Sequence, residues 1–392
     1  MEQTTGSGQD AHSCQVLQLV GAAQSTYRWA NLDEIGSFSR PRQGGRTKEL
    51  TSQANRRRVQ ASVVVVIMLA VVIAFGVARE RGLFAAPQSA TETLRIALAL
   101  TPDAGLLHIA AAKGYFAEEG LAVTLTPTSH GKIAMDLLAR GEADLAAAAD
   151  VPFVISVLKG ERLGMVAAVV SVPNEMAVVA RDDRGIHVPH DLQGKRVGVT
   201  LGTNGEYFLW AFLIRHKLAP DSVTLVDMPP GRMVQELANG TVDAVSTWEP
   251  IRSKAHAALA DNARSFTGAD AYAAIQVVVG RSDFLKAHPV AIEKLMRALL
   301  KAEAFNRSEP QQALGFVAER LKLEPQALLE SGWKDFQLKV DLRQSQLVSL
   351  EDEARWAMAR GYADKGPVPN FLPHLHLDAL LAVRPERVTV VH

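Results

Sequence analysis

The sequence predicts an α/β fold of two lobes, each a mostly parallel sheet flanked by helices, over residues 94–392. Three observations predict it. From residue 94 short apolar runs alternate with amphipathic helical stretches, the pattern of parallel strands with helices on their faces. The chain then repeats itself: LRIALALT (94–101) answers KRVGVTLG (195–202), and MDLLARGEADLAAAADVP (135–152) answers VQELANGTVDAVSTWEP (234–250). The offsets are 101 residues from Leu94 to Lys195 and 99 from Gly141 to Gly240, so two lobes of one architecture fit better than a solenoid of many short repeats. Third, EMAVVARDD (175–183) and AAIQVVVGRSDF (273–284) are extended stretches that enter and leave the second half, as a two-crossing hinge requires.

Taken in order, LRIALAL (94–100) reads as a strand buried on both faces, followed by Thr101–Pro102 and a helix ending near KGYFAEEG. LAVTLTP is a second strand, GKIAMDLLARG a helix and ADLAAAA a third strand. The same series recurs in the second lobe. The chain then returns to the first lobe through the helices HPVAIEKLMRALLKAEAFNRS, PQQALGFVAERL, EPQALLESGW and QLVSLEDEARWAMARGYADK. Lobe one is expected at 94–181 with 281–392, and lobe two at 182–280.

Residues 1–55 are polar, rich in Gly, Ser, Gln and Thr, and their composition predicts a disordered tail. Residues 56–82 predict a transmembrane anchor or signal-anchor. Val59 to Ala78 carries only Gln60 and Ser62 as polar interruptions, and a run of that length spans a hydrocarbon core of roughly 30 Å as a helix. Arg56, Arg57 and Arg58 precede it, so the bias of positive charge favours a cytoplasmic N-terminus and an exported remainder. The expected location is therefore the periplasmic or extracytoplasmic face of the cytoplasmic membrane. A cleaved signal peptide is the alternative, with Gly76–Val77–Ala78 as its small-residue site.

The 42 basic and 42 acidic residues balance, which removes any general attraction to nucleic acid. Cys14 is the only cysteine, which rules out intrachain disulfides and cysteine-held metal clusters; no cofactor is expected.

Five stretches carry a family resemblance: GLLHIAAAKGYFAEEGLAVTL (105–125), GEADLA (141–146), LQGKRVGVTLGTNGEYFL (192–209), VDAVSTWEP (242–250) and LLAVRPERVTVV (380–391). In this order they resemble the nitrate/sulfonate/taurine group of ABC-importer substrate-binding proteins, with relatives that bind thiamine-pyrimidine precursors. The resemblance implies a type II periplasmic-binding-protein fold, each lobe a mixed, mostly parallel sheet, with a cleft that closes. It also implies capture of a small organic or anionic solute (sulfonate, taurine, nitrate or pyrimidine-type) and delivery to permease and ATPase subunits. The long polar head and the anchor-like run depart from the usual cleaved or lipidated form.

Ligands of open parallel sheets bind beyond the C-terminal ends of the strands, which places the cleft at seven loops. These are Thr101–Asp103, Thr128–Gly131, Ala149–Pro152, Ser171–Asn174, Leu201–Gly205, Met228–Arg232 and Thr247–Pro250. The candidate ligand-binding residues are Thr101, Pro102, Ser129, His130, Asp150, Ser171, Thr203, Asn204, Thr247, Trp248 and Glu249. Thr203 and Asn204 open a helix where free amides favour an anion, although simple N-capping explains both equally well. SHGK (129–132) is a similar helix start, with His130 as a donor. Asp150 and Glu249 occupy equivalent places in the repeat. Two carboxylates at one cleft suit a cationic, zwitterionic or amine-bearing solute better than a simple anion, unless each only caps a helix; capping is the stronger reading for Asp150. Trp248 at a strand's exit offers an indole to stack on a flat or cationic solute, with Glu249 as its polar partner. Arg232 is a cleft counter-ion or a solvated surface charge, Asp144 and Asp243 belong to turns, and His108 packs in a helix.

HLH (374–376) lacks the acidic or cysteine partners of a metal site, and GVTLGTNG has neither the nucleotide-loop ending nor dinucleotide glycine spacing. An enzyme on the same fold is the rival class, since such relatives include a desulfinase with a cysteine nucleophile and a pyrimidine synthase with a cysteine cluster. The exported part has no cysteine, which counts against both chemistries. A membrane-anchored solute sensor is the third class.

Overall fold

The computed structural model describes residues 91–268 and 271–391, together with Met68. The polar tail and the anchor-like run at 59–78 otherwise lie outside the described residues. Among the described residues no helix is long and apolar enough to cross a membrane.

The apolar runs form strands β1 (Glu92–Ala99), β2 (Leu121–Thr128), β3 (Leu145–Ala149), β4 (Leu163–Val172), β5 (Ala177–Arg181), β6 (Arg196–Val199), β7 (Thr224–Asp227), β8 (Ala244–Thr247), β9 (Ala263–Thr267), β10 (Ala274–Arg281) and β11 (Gln337–Asp341). Two sheets result, in the orders β11-β4-β10-β3-β1-β2 and β7-β6-β8-β5-β9. In each lobe three strands run parallel in the order second, first, third, and a fourth inserts antiparallel beside the third. The mixed two-lobed architecture read from the repeat is therefore observed.

The inserted strands move the lobe boundaries. β5 falls in the expected lobe one, yet it pairs with β8 and β9 of the second sheet. β10 falls in the expected lobe two, yet it pairs with β3 and β4 of the first. The two stretches expected to be crossings are thus ladder strands of the lobe they enter, and the crossings proper precede them at 173–176 and 268–273. The physical reason is that an apolar run must satisfy its backbone N–H and C=O groups, and a sheet is where it can.

The helices that bear on the cleft and its supports are α1 (Gly105–Ala112), α2 (Gly131–Ala139), α3 (Asp150–Leu158), α4 (Asn204–Arg215), α5 (Pro230–Ala238), α6 (Ile251–Leu259), α7 (Pro289–Ser308) and α8 (Gln344–Ala359). β3 is Leu-Ala-Ala-Ala-Ala and wholly buried, because helices cover both faces of its sheet. The second lobe has one apolar cluster on each face of its sheet. The first of these also takes Val151 and Ile155 of α3 and Trp356 and Ala357 of α8, so it joins the lobes.

The duplication is visible in a clasp that occurs twice. Asp144 accepts from the Arg95 backbone N–H at 2.8 Å and from its guanidinium at 2.7 Å, while that guanidinium also reaches the Gly141 carbonyl. Asp243, Arg196 and Gly240 repeat every bond, at 2.9, 2.9 and 2.8 Å. The glycines, at φ +73° and +74°, end α2 and α5 in the left-handed region that a side chain would strain. The two aspartates thus have the turn role read from the sequence, tying the start of each lobe's first strand to the turn before its third.

Candidate functional site

The lobes meet over a small cavity of about 20 Å³, room for about one or two waters. Lobe one contributes Ala99 at the end of β1 with Thr101 and Asp103 after it, His130, Gly131 and Lys132 at the start of α2, Ala149 at the end of β3 with Pro152 after it, and Gln276 of β10. Lobe two contributes Thr203 and Asn204 at the start of α4, and Trp248 after β8. Most of the wall therefore comes from strand-end loops, because side chains at strand interiors are consumed by the cores.

Of the candidate residues, the fold brings Thr101, His130, Thr203, Asn204 and Trp248 together on this cavity. Thr203 also caps α4, accepting from the Gly205 amide at 3.2 Å and donating to the Thr200 carbonyl at 2.7 Å. Asn204 directs its amide at the Met176 sulfur, 3.5 Å away. Trp248 packs on the first turn of α4, where a Cβ on Gly205 would stand 3.1 Å from its ring, so a side chain there would make the indole shift by a few tenths of an ångström. His130 is buried, and burial holds its imidazole below the usual range, so the ring is neutral at pH 7. Its Nδ1 lies 2.9 Å from the hydroxyl of the exposed Ser129.

Six candidates are not in the wall. Pro102 is buried behind Thr101, Ser129 is exposed, and Ser171 is a ladder residue of β4 opposite Ile275 and Gln337. Thr247 is fully buried as the last residue of β8. Glu249 does not stand beside Trp248 as its polar partner. It is fully buried, pairs with Arg252 at 2.6 Å and accepts from the Ser253 amide at 3.2 Å and hydroxyl at 3.0 Å. It therefore caps α6, because a carboxylate ahead of a helix finds free amides and a dipole end. The Glu249–Pro250 bond is cis. Arg232 is exposed and paired with Glu236.

Asp150 keeps part of the helix-start role expected of it and also has partners from distant elements. It accepts from the Val151 amide at 3.1 Å and from the Tyr272 hydroxyl, and Glu353 of α8 lies against it. Burial pushes Asp150 up to about 6. Burial and the Asp150 charge push Glu353 well above the carboxylate range. Around this pair Tyr207 stands edge-on to Tyr272 and Trp356, with ring centroids 5.1 and 5.3 Å apart.

Sequence reading passed over Asp103, Lys132, Glu175, Gln276, Tyr272 and Glu353. Asp103 lay inside a named loop, and Gln276 was the lone polar residue in an apolar strand, a signal that could have found it. Glu353 carried none, since it meets Asp150 only because α8 packs on α3. His108 is buried in the lobe-one helix, as packing predicts, and burial lowers it to about 4. Among the described residues no group of three His, Cys, Asp or Glu could hold a metal.

A family model described as "NMT1/THI5 like" matches residues 101–313, more than half of the chain and the whole of the cavity wall except Ala99. The chain belongs to the NMT1/THI5-like family. Among relatives, it is 22% identical over 218 residues to the taurine-binding periplasmic protein of Escherichia coli, covering 54% of this chain and 66% of that one. Among solved structures it resembles the alkanesulfonate-binding protein SsuA of Xanthomonas axonopodis, bound to MOPS, with a TM-score of 0.63 at 18% identity, over 71% of this chain and 96% of that one. It also shares its fold with the desulfurization enzyme DSZB, at TM-score 0.57 and 16% identity, over 75% and 99% of the two chains. The family and the periplasmic-binding fold expected from the five motifs are those found.

In this NMT1/THI5-like chain the lobes are also latched. Glu206, in the first turn of α4, accepts from the Gly202 amide at 2.8 Å, from Arg360 at 3.1 Å and from the Tyr362 hydroxyl. Arg360 and Tyr362 follow α8, whose Leu350 and Ala354 belong to the lobe-one core, so these bonds cross between lobes. Arg360→Ala with Tyr362→Phe is expected to favour the open form. Loss of roughly 1.4 kcal/mol from the closed state would raise the solute off-rate about tenfold. Stopped-flow release and the radius of gyration in solution check this, and unchanged values of both refute it.

Proposed function

We propose that the protein is an extracytoplasmic solute-binding protein of an ABC importer, which captures a small solute between closing lobes and hands it to permease and ATPase subunits. The observation that carries this is the cavity built from equivalent strand-end loops of two duplicated lobes joined by two crossings. Family membership supports it, as do the names of the taurine- and sulfonate-binding relatives. A cavity of this size cannot admit a sulfonate from solvent without opening. Solute contacts formed only on closure then set the open–closed balance.

The candidate contacts Thr101, His130, Thr203, Asn204 and Trp248 are proposed to touch the solute. Pro102, Ser129, Asp150, Ser171, Thr247 and Glu249 support the surrounding loops. The run at 59–78, flanked by arginines, is proposed to anchor the exported lobes to the cytoplasmic membrane.

The role is read as non-catalytic. DSZB is named as an enzyme on this fold, but residues 94–392 of this chain contain no cysteine. Ser129 and His130 are hydrogen-bonded, but Ser129 lies outside the cavity wall. Melting-point screening of the full-length protein against sulfonates, taurine, nitrate, pyrimidines and amines tests the reading. A bound solute raises the melting point without being consumed. Turnover of the stabilising solute would show an enzyme, and no response to any class would remove the binding role.

A further inference from the structure

We propose that the cleft recognises solutes carrying a positively charged nitrogen, seated between the Asp103 carboxylate and the Trp248 indole, and excludes solutes whose only charge is a sulfonate or nitrate. This deepens the solute-binding reading above and rests on it.

Asp103 is the acidic residue among the described residues of the wall. Its Oδ1 is shut off from solvent and has no hydrogen-bond partner among the described residues. Behind it, on the crossing between lobes, lies Glu175, only 2% exposed, whose Oε1 is also unpartnered among the described residues. The two carboxyls act on each other, Asp103 being the largest charge felt by Glu175. The nearest guanidinium is already engaged: Arg252 pairs with Glu249 and donates to the carbonyls of Asn174 and Glu175.

Buried carboxyls without a countercharge are costly when ionised, and a cation that pairs with them relieves that cost. Burial pushes Asp103 up to about 6 and Glu175 well above the carboxylate range. An ammonium-type group at the wall gains the Asp103 carboxylate as a charge partner in a medium of low dielectric. Trp248 adds the surface an organic cation favours most among aromatic rings. A lone anion would instead meet the Asp103 carboxylate as a like charge. Lys132 stands at the start of α2 and leans across to Gly202, its Cε 3.6 Å from where a Cβ there would be. With the α4 start it leaves a place for an acidic tail, so a zwitterion fits as well as a simple amine.

The test is calorimetric titration of the full-length protein at pH 7.5 with four matched probes: ethanolamine, choline, taurine and isethionate. At least one of the three nitrogen-bearing probes is expected to bind, and isethionate is not. Asp103→Asn, which keeps the shape of the side chain, is expected to weaken that binding about tenfold or more, and Glu175→Gln to weaken it less. Binding of isethionate as tight as that of the amines would overturn the charge assignment while leaving the cleft a solute site. So would an Asp103→Asn protein of unaltered affinity. If no probe binds and the wider screen is also silent, the solute-binding reading fails together with this one.

Discussion

Trp248→Ala is expected to lower affinity for the cleft's solute by about two orders of magnitude, and to lower the melting point as well. Both effects arise at one position. The indole lines the cavity, yet it is only 6% exposed and belongs to the cluster that joins the lobes. Truncating a buried tryptophan removes packing worth about 3–5 kcal/mol, and the loss is felt on the first turn of α4, where Thr203 and Asn204 also stand. Trp248→Phe keeps a ring and should recover most of the stability but only part of the affinity. Titration below the melting points of both variants separates the two losses. Unchanged affinity in the alanine variant would make the tryptophan a purely structural residue.

The second large effect concerns pH. The protein should be more stable near pH 5 than at pH 7.5, and Glu353→Gln should remove part of that difference. Asp103 and Asp150 are raised to about 6, and Glu175 and Glu353 are raised further, in each case chiefly by burial. A carboxyl whose folded value is raised binds its proton more tightly in the folded state. Its contribution is therefore complete below the unfolded value near 4 and is lost as pH rises through about 6. Asp144 and Asp243 work the other way: paired with Arg95 and Arg196, their depressed values add stability that disappears only as pH falls below about 4. Melting curves from pH 4 to 8 check the sign. A flat profile between pH 5 and 7.5 in the native protein refutes it.

Much of the architecture is legible in the sequence because it rests on local pattern. Runs such as LAAAA and AIQVVVGR are buried on both faces and read as strands without reference to anything distant. The Gly-x-x-Asp motif recurs at nearly the offset of the first strand because the same clasp is built twice. The strand-end rule then placed nine of the twelve wall residues in named loops, Asp103 among them. It could not say which way a loop side chain turns. Glu249 and Asp150 look equivalent in the repeat, but one finds Arg252 and Ser253 within its own helix while the other finds Tyr272 and Glu353 from distant elements.

The sequence by itself determined the duplicated α/β lobes, the family and most of the loops that face the cleft, since apolar periodicity and turn chemistry are properties of neighbouring residues; the loops at 171–174 and 228–232 give no residue to the wall. Only the tertiary structure decided that β5 and β10 belong to the lobes they enter, because strand pairing depends on which backbone lies alongside. It alone decided, too, which buried carboxyls lie behind the cleft and what pairs with them. Glu175 comes from a crossing and Glu353 from a helix some two hundred residues beyond Asp150, and whether a carboxyl is paired or stranded is settled by the side chains that packing brings to it.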